Sequence, residues 1–113
     1  MTLNRFYLFH LPALAALLTV LLVMTAAPAW AHTLYMNLVD NEDGTLTVEA
    51  MFSTGATGAG LPLILEDGQG NPIKTYKIDE NGECTFEIPD QPYSVFLNGG
   101  PGHTCREKGP AKL

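Results

Sequence analysis

From residue 33 onward, apolar and polar positions alternate with a period of two, the pattern of strands with one face on a core and one in water. Leu34, Met36 and Leu38 share one face of a stretch from Thr33 to Asp40, and Tyr35, Asn37 and Val39 share the other. Asn41-Glu42-Asp43-Gly44 follows, and Asp-Gly between alternating segments is a hairpin signal. Thr45 to Ser53 repeats the alternation, with Leu46, Val48, Ala50 and Phe52 inward and Thr45, Thr47, Glu49 and Met51 outward. Residues 54–60 carry three glycines and no period, and are expected to be a flexible connection. Further strands are predicted at Leu61 to Glu66, Ile73 to Ile78, Glu83 to Ile88 and Tyr93 to Leu97, each bounded by Asp, Asn, Gly or Pro. A short edge strand is expected near Cys105, with a loose end after it. No helical period of useful length appears in this part. Six or seven short strands separated by turns predict an all-β sandwich.

The first thirty residues follow a different pattern. Arg5 precedes an apolar run from Leu11 to Met24, and Ala29-Trp30-Ala31 ends the segment with small residues at alternate positions. A basic start, an apolar middle and an A-x-A end make a secretory signal. The expected organisation is a signal peptide over 1–31, cut between Ala31 and His32, followed by a sandwich domain over 32–113 in the periplasm. The alternative is an uncut helix that anchors the domain in the membrane, since a span needs about 20 apolar residues.

Composition narrows the classes. The 113 residues carry a net charge of −6, and all twelve carboxylates lie beyond residue 31 with five of the six bases. No basic patch is available for nucleic acid or an anionic surface. A domain of this size buries only about 60–65% of its unfolded surface, so a covalent staple would help. The two cysteines of an exported chain suggest one, Cys84–Cys105. Closing a loop of about 20 residues would contribute roughly 3 kcal/mol. The other reading is two free thiols, with Cys84 a small core residue.

No catalytic constellation stands out, and the expected protein is not an enzyme. There is no G-x-S-x-G, and the 54–60 loop lacks the Lys-Ser/Thr ending of a phosphate-binding loop. Asp79 and Glu80 are neighbours in a turn, without the spacing or later glutamate of a calcium loop. What remains is a pair of histidines, His32 and His103. If cleavage falls after Ala31, His32 carries both an imidazole and a free α-amine. With the His103 imidazole these form a three-nitrogen set, a histidine brace. Nitrogen sets of this kind suit Cu(II) and Ni(II). An α-amine titrating near about 8 and an imidazole near about 6.5 lose their protons far more readily than a lysine. Met36 and Met51 could add thioethers, although Met36 falls on the apolar face, where core packing is the simpler role. Cys105 could add a thiolate if it is not bridged. Taken alone, His103 also reads as an ordinary loop histidine.

Three stretches carry a resemblance. Leu61-Pro62-Leu63-Ile64-Leu65-Glu66-Asp67-Gly68-Gln69-Gly70, Ile78-Asp79-Glu80-Asn81-Gly82-Glu83-Cys84-Thr85-Phe86-Glu87-Ile88-Pro89 and Tyr93-Ser94-Val95 resemble the carboxypeptidase-regulatory-like, prealbumin-type sandwich. With Ala31-His32 before them and Gly99-Gly100-Pro101-Gly102-His103 after, the chain is similar to periplasmic nickel-transport-like domains, accessories of nickel or cobalt uptake transporters. That resemblance implies metal ligands at His32 and His103. It also implies Ni(II) or Co(II) as cargo and a membrane transporter as partner. A copper carrier and a metal-free interaction module are the alternatives.

Overall fold

The computed structural model describes residues 3–25 and 32–113, with side chains from 10–24 and 32–113. The Ala29-Trp30-Ala31 cleavage sequence lies outside the described residues. Two units separate, residues 1–30 and residues 31–113. The first contains one helix, α1 (Leu3–Thr25), with Pro12 inside it and exposed side chains throughout the described part.

The second unit is an all-β sandwich of seven strands: β1 (Leu34–Asp40), β2 (Thr45–Phe52), β3 (Pro62–Glu66), β4 (Pro72–Lys77), β5 (Glu83–Glu87), β6 (Ser94–Asn98) and β7 (Thr104–Lys108). Each lies where the alternation predicts it, including the short edge strand around Cys105. The strands form two antiparallel sheets, ordered β1-β2-β5 and β4-β3-β6-β7. Hairpins join β1 to β2, β3 to β4 and β6 to β7, and the other connections cross between sheets.

Inward positions follow the period of two. Leu34, Leu46, Val48, Ala50 and Phe86 face Leu63, Leu65, Val95 and Leu97, with Ile78, Ile88 and Tyr93 at the margins. Met36 and Cys84 pack partly buried against this core, whereas Met51 points out and is 53% exposed. On the wet face of the three-stranded sheet, polar pairs replace apolar ones. Asn37 Nδ2 donates to Glu49 at 2.8 Å, and the Thr47 and Thr85 hydroxyls share a hydrogen bond. The stacking order of the two sheets is fixed at both sides. Tyr76 of β4 stacks on Phe86 of β5 with centroids 5.1 Å apart, and β1 lies over β7.

The 54–60 loop is more ordered than its glycines suggest. It folds back on β2: Gly58 N–H donates to Ala50 O and Phe52 N–H to Ala56 O, both at 2.8 Å. A side chain at Gly58 would stand 2.6 Å from Ala50 Cβ, so the glycine lets the loop lie flat against the strand.

The expected Cys84–Cys105 disulfide does not form; both thiols are free and half-buried. Sheet order gives the reason. Cys84 is on β5, the edge of its sheet that stacks against β4, whereas Cys105 is on β7, stacked against β1 at the opposite edge. Two strand spacings along one sheet and one sheet-to-sheet spacing each amount to about 10 Å, so the two thiols sit at diagonal corners. A disulfide needs Cα atoms within about 7 Å.

Candidate functional site

His32 and His103 approach the same end of the sandwich from different directions. His32 immediately precedes the residue that pins the entry to β1. Thr33 N–H donates to Ser53 Oγ at 3.0 Å, and Thr33 O accepts from Ser53 N–H at 2.8 Å. Leu34, two residues after His32, is paired with Phe52. His103 closes the β6–β7 hairpin. Gly99 N–H donates to His103 O at 2.7 Å, and His103 N–H donates to Gly100 O at 2.9 Å.

The Gly-Gly-Pro-Gly sequence makes this turn feasible. Gly100 and Gly102 sit at φ 97° and 78°, the left-handed region that side chains avoid. Any side chain at Gly99 would stand 2.7 Å from His103 O and 3.1 Å from Leu34 Cδ2. The turn therefore brings Gly99, paired with His103, against the Leu34 side chain at the start of β1. The imidazole of His103 meets Phe52 edge-on, with centroids 6.4 Å apart and planes at 74°.

A third group bridges the same corner. The Cys105 thiol donates to Leu34 O at 3.0 Å, joining an inward position of β7 to a carbonyl of the edge strand β1. Burial raises the thiol's pKa, and Glu107 adds to the shift, so the group is a protonated donor here. Cys84, raised by burial and then by Asp79, is equally protonated in its own corner.

The His103 ring holds one unsatisfied atom. Its Nδ1 is buried and has no hydrogen-bond partner, a condition that costs about 1–3 kcal/mol in a folded protein. His32, by contrast, is exposed. Among the described residues, no group of three or more His, Cys, Asp or Glu side chains could hold a metal ion. The described geometry thus brings His103, Cys105 and the backbone next to His32 to one pole, without a closed ligand set. Met51 is exposed on the outer face of β2, and Met36 packs against the core.

Cys105 is the residue that the sequence misassigned. Its placement depends on β7 stacking under β1, and an i, i+2 spacing to His103 was the only available signal.

No protein-family model, no curated protein and no solved structure matches this chain.

Proposed function

We propose that this is an exported, metal-binding β-sandwich that captures Ni(II), or Co(II), in the periplasm and passes it to a membrane uptake transporter. His32 would supply its α-amine and imidazole once the chain is cut after Ala31, and His103 would supply a second imidazole. The observation that carries the reading is the orphaned Nδ1 of His103, buried beside the entry of β1. In the neutral tautomer that protonates Nε2, such a nitrogen has a lone pair to offer, and neutral imidazole is the commonest metal ligand. The resemblance of Ala31-His32 and of Gly99 to His103 to nickel-transport-like domains supports the same assignment. Within the uncut chain the amine of His32 is locked in a peptide bond, so processing would switch the site on. Release would follow by ligand exchange, which an exposed His32 makes easy.

The test is N-terminal mass analysis of the exported protein, followed by titration with Ni(II), Co(II) and Cu(II). The expected result is a chain that starts at His32 and binds one equivalent of Ni(II). His32→Ala or His103→Ala should each weaken binding by at least about tenfold, the scale on which even outer-shell partners of metal ligands act. A different first residue, or two variants that bind as the parent does, overturns the reading. The free thiol at the same pole favours copper as a second reading, because sulfur ligands select Cu(I). A Cu(I) affinity far above that for Ni(II) would establish it.

A further inference from the structure

The two sheets leave four edge strands, β1, β5, β4 and β7, and three of them carry residues that keep edges from pairing. β4 starts at Pro72 and holds Lys74 and Lys77. A two-fold pairing of β5 about its middle residue would set Glu83 against Glu87 of the second copy, and one of β7 would set Arg106 against Arg106. β1 has no proline and no base, and its register with β2 is unshifted over all seven residues. We propose that β1 is a self-association edge: a second copy of this chain adds its own β1 antiparallel, and the two three-stranded sheets join into one continuous sheet. This goes beyond the metal-binding reading and does not depend on it.

The hydrogen bonds of β1 define its free edge. Thr33 O accepts from Ser53 N–H and Asn41 N–H donates to Thr45 O, so the odd-numbered positions bond toward β2. In an antiparallel ladder the alternate residues turn their N–H and C=O groups the other way. Leu34, Met36, Leu38 and Asp40 therefore present theirs away from β2. The Leu34 carbonyl marks that direction, since it accepts from the Cys105 thiol. Among the described residues, no backbone group of Met36 or Leu38 has a hydrogen-bond partner on that side.

The strand is complementary to itself about Asn37, its middle residue. A two-fold axis there sets Met36 against Leu38 of the second copy and Leu34 against Asp40, and each such pair exchanges two backbone hydrogen bonds. The Leu34 carbonyl keeps a second lone pair for the incoming Asp40 N–H. No like charges oppose each other. Between these pairs lie the closer, non-bonded ones, Tyr35 against Val39 and Asn37 against Asn37. Tyr35 and Val39 are 58% and 37% exposed on the outer face. Aromatic and β-branched residues placed opposite each other stabilise strand pairs. The register that joins the free backbone groups is thus the one that covers the exposed apolar side chains of the strand.

The protein recovered after export is followed by sedimentation from micromolar concentration up to about 1 mM, the weak end of specific association. The expected result is a monomer–dimer equilibrium. Asn37→Lys should weaken it about fivefold or more, because the lysine keeps Glu49 as a cross-strand partner in its own chain but meets its copy across the axis. Asn37→Cys should give an interchain disulfide under mild oxidation, since non-bonded partners lie about 4.5 Å apart, within disulfide reach. Tyr35→Cys should not, because its copy lies four residues along the strand, about 14 Å away. The parent reports the background from Cys84 and Cys105. Far-ultraviolet circular dichroism confirms that each variant is folded. A protein that stays monomeric throughout overturns the proposal and leaves the edge open to a strand from another protein. A dimer indifferent to Asn37→Lys, or one that Tyr35→Cys bridges and Asn37→Cys does not, overturns it as well, by placing the contact elsewhere.

Discussion

Gly109 carries the tightest steric demand outside the candidate site, and Gly109→Ala tests how the chain after β7 is held. An Ala Cβ there would stand 2.6 Å from Tyr93 Oη and overlap the ring atoms Cε2 and Cζ. Carbon atoms at rest keep about 3.5–4.0 Å. Tyr93 is only 3% exposed and belongs to the core, so its ring has nowhere to swing. Relief therefore comes from lifting the tail. That breaks the bond from Gly109 N–H to Tyr93 O, 3.0 Å long, which contributes about 1 kcal/mol. It also uncovers part of one face of the Tyr93 ring; some 60 Å² at about 25 cal/mol per Å² is roughly 1.5 kcal/mol. The Lys112–Asp90 pair, 3.7 Å apart between exposed side chains, adds little. The sum, about 2–3 kcal/mol, agrees with the range for overpacked sites. For a domain of this size about 1 kcal/mol corresponds to roughly 6 °C, so the melting temperature should fall by about 12–18 °C. Thermal denaturation followed by circular dichroism reads the shift. Gly68→Ala is the control, because a Cβ there meets nothing within 4 Å and the position is not left-handed. A Gly109→Ala variant that melts with the Gly68→Ala control refutes the account of a tail clamped on Tyr93.

The same tyrosine supports a prediction of opposite sign. Its Oη is buried without a hydrogen-bond partner, so Tyr93→Phe should raise stability by about 1 kcal/mol in chemical denaturation, and a loss of that size would reveal a partner. Burial, and then the charge of Asp40, raises the Tyr93 pKa, so the folded state holds the phenolic proton more tightly than the unfolded state does. That contribution is complete below about pH 10 and is lost as pH rises through the folded value; Tyr93→Phe should flatten the alkaline limb of a Tm-against-pH curve. At the acid end the sign reverses. Asp43 is lowered by the Thr45 hydroxyl and then its backbone N–H, and Asp67 by the backbone N–H groups of Asn71 and Gln69. Their stabilisation is complete above their unfolded value, near 3.8, and is lost as pH falls through the lower folded values. The Asp43→Asn/Asp67→Asn double variant should lose less Tm than the parent between about pH 5 and pH 2, and parallel curves would count against both turns.

Strand positions were legible because burial alternates with the chain. Leu46, Val48 and Ala50 could only face inward together, and the turns between strands carry residues that suit sharp bends. Sheet order was not legible. Nothing in the spacing of Cys84 and Cys105 reports that β5 and β7 belong to different sheets, and a loop-closure argument sees only the number of residues between them. The order of the 54–60 loop was hidden for a related reason. It is held by backbone bonds to Ala50 and Phe52, which leave no mark on a hydrophobic pattern. The meeting of the His103 turn with the entry to β1 lies between these cases. The glycines around Pro101 announce a sharp turn, and period-two alternation puts residues 103 and 105 on one face. Only the stacking of β1 over β7 tells which strand that face meets. That stacking also accounts for what the free thiol touches instead of Cys84. A bridge to Cys84 would have pulled Cys105 away from β1. Left free, its thiol reaches the carbonyl of Leu34, which follows His32 by two residues, as Cys105 follows His103 by two.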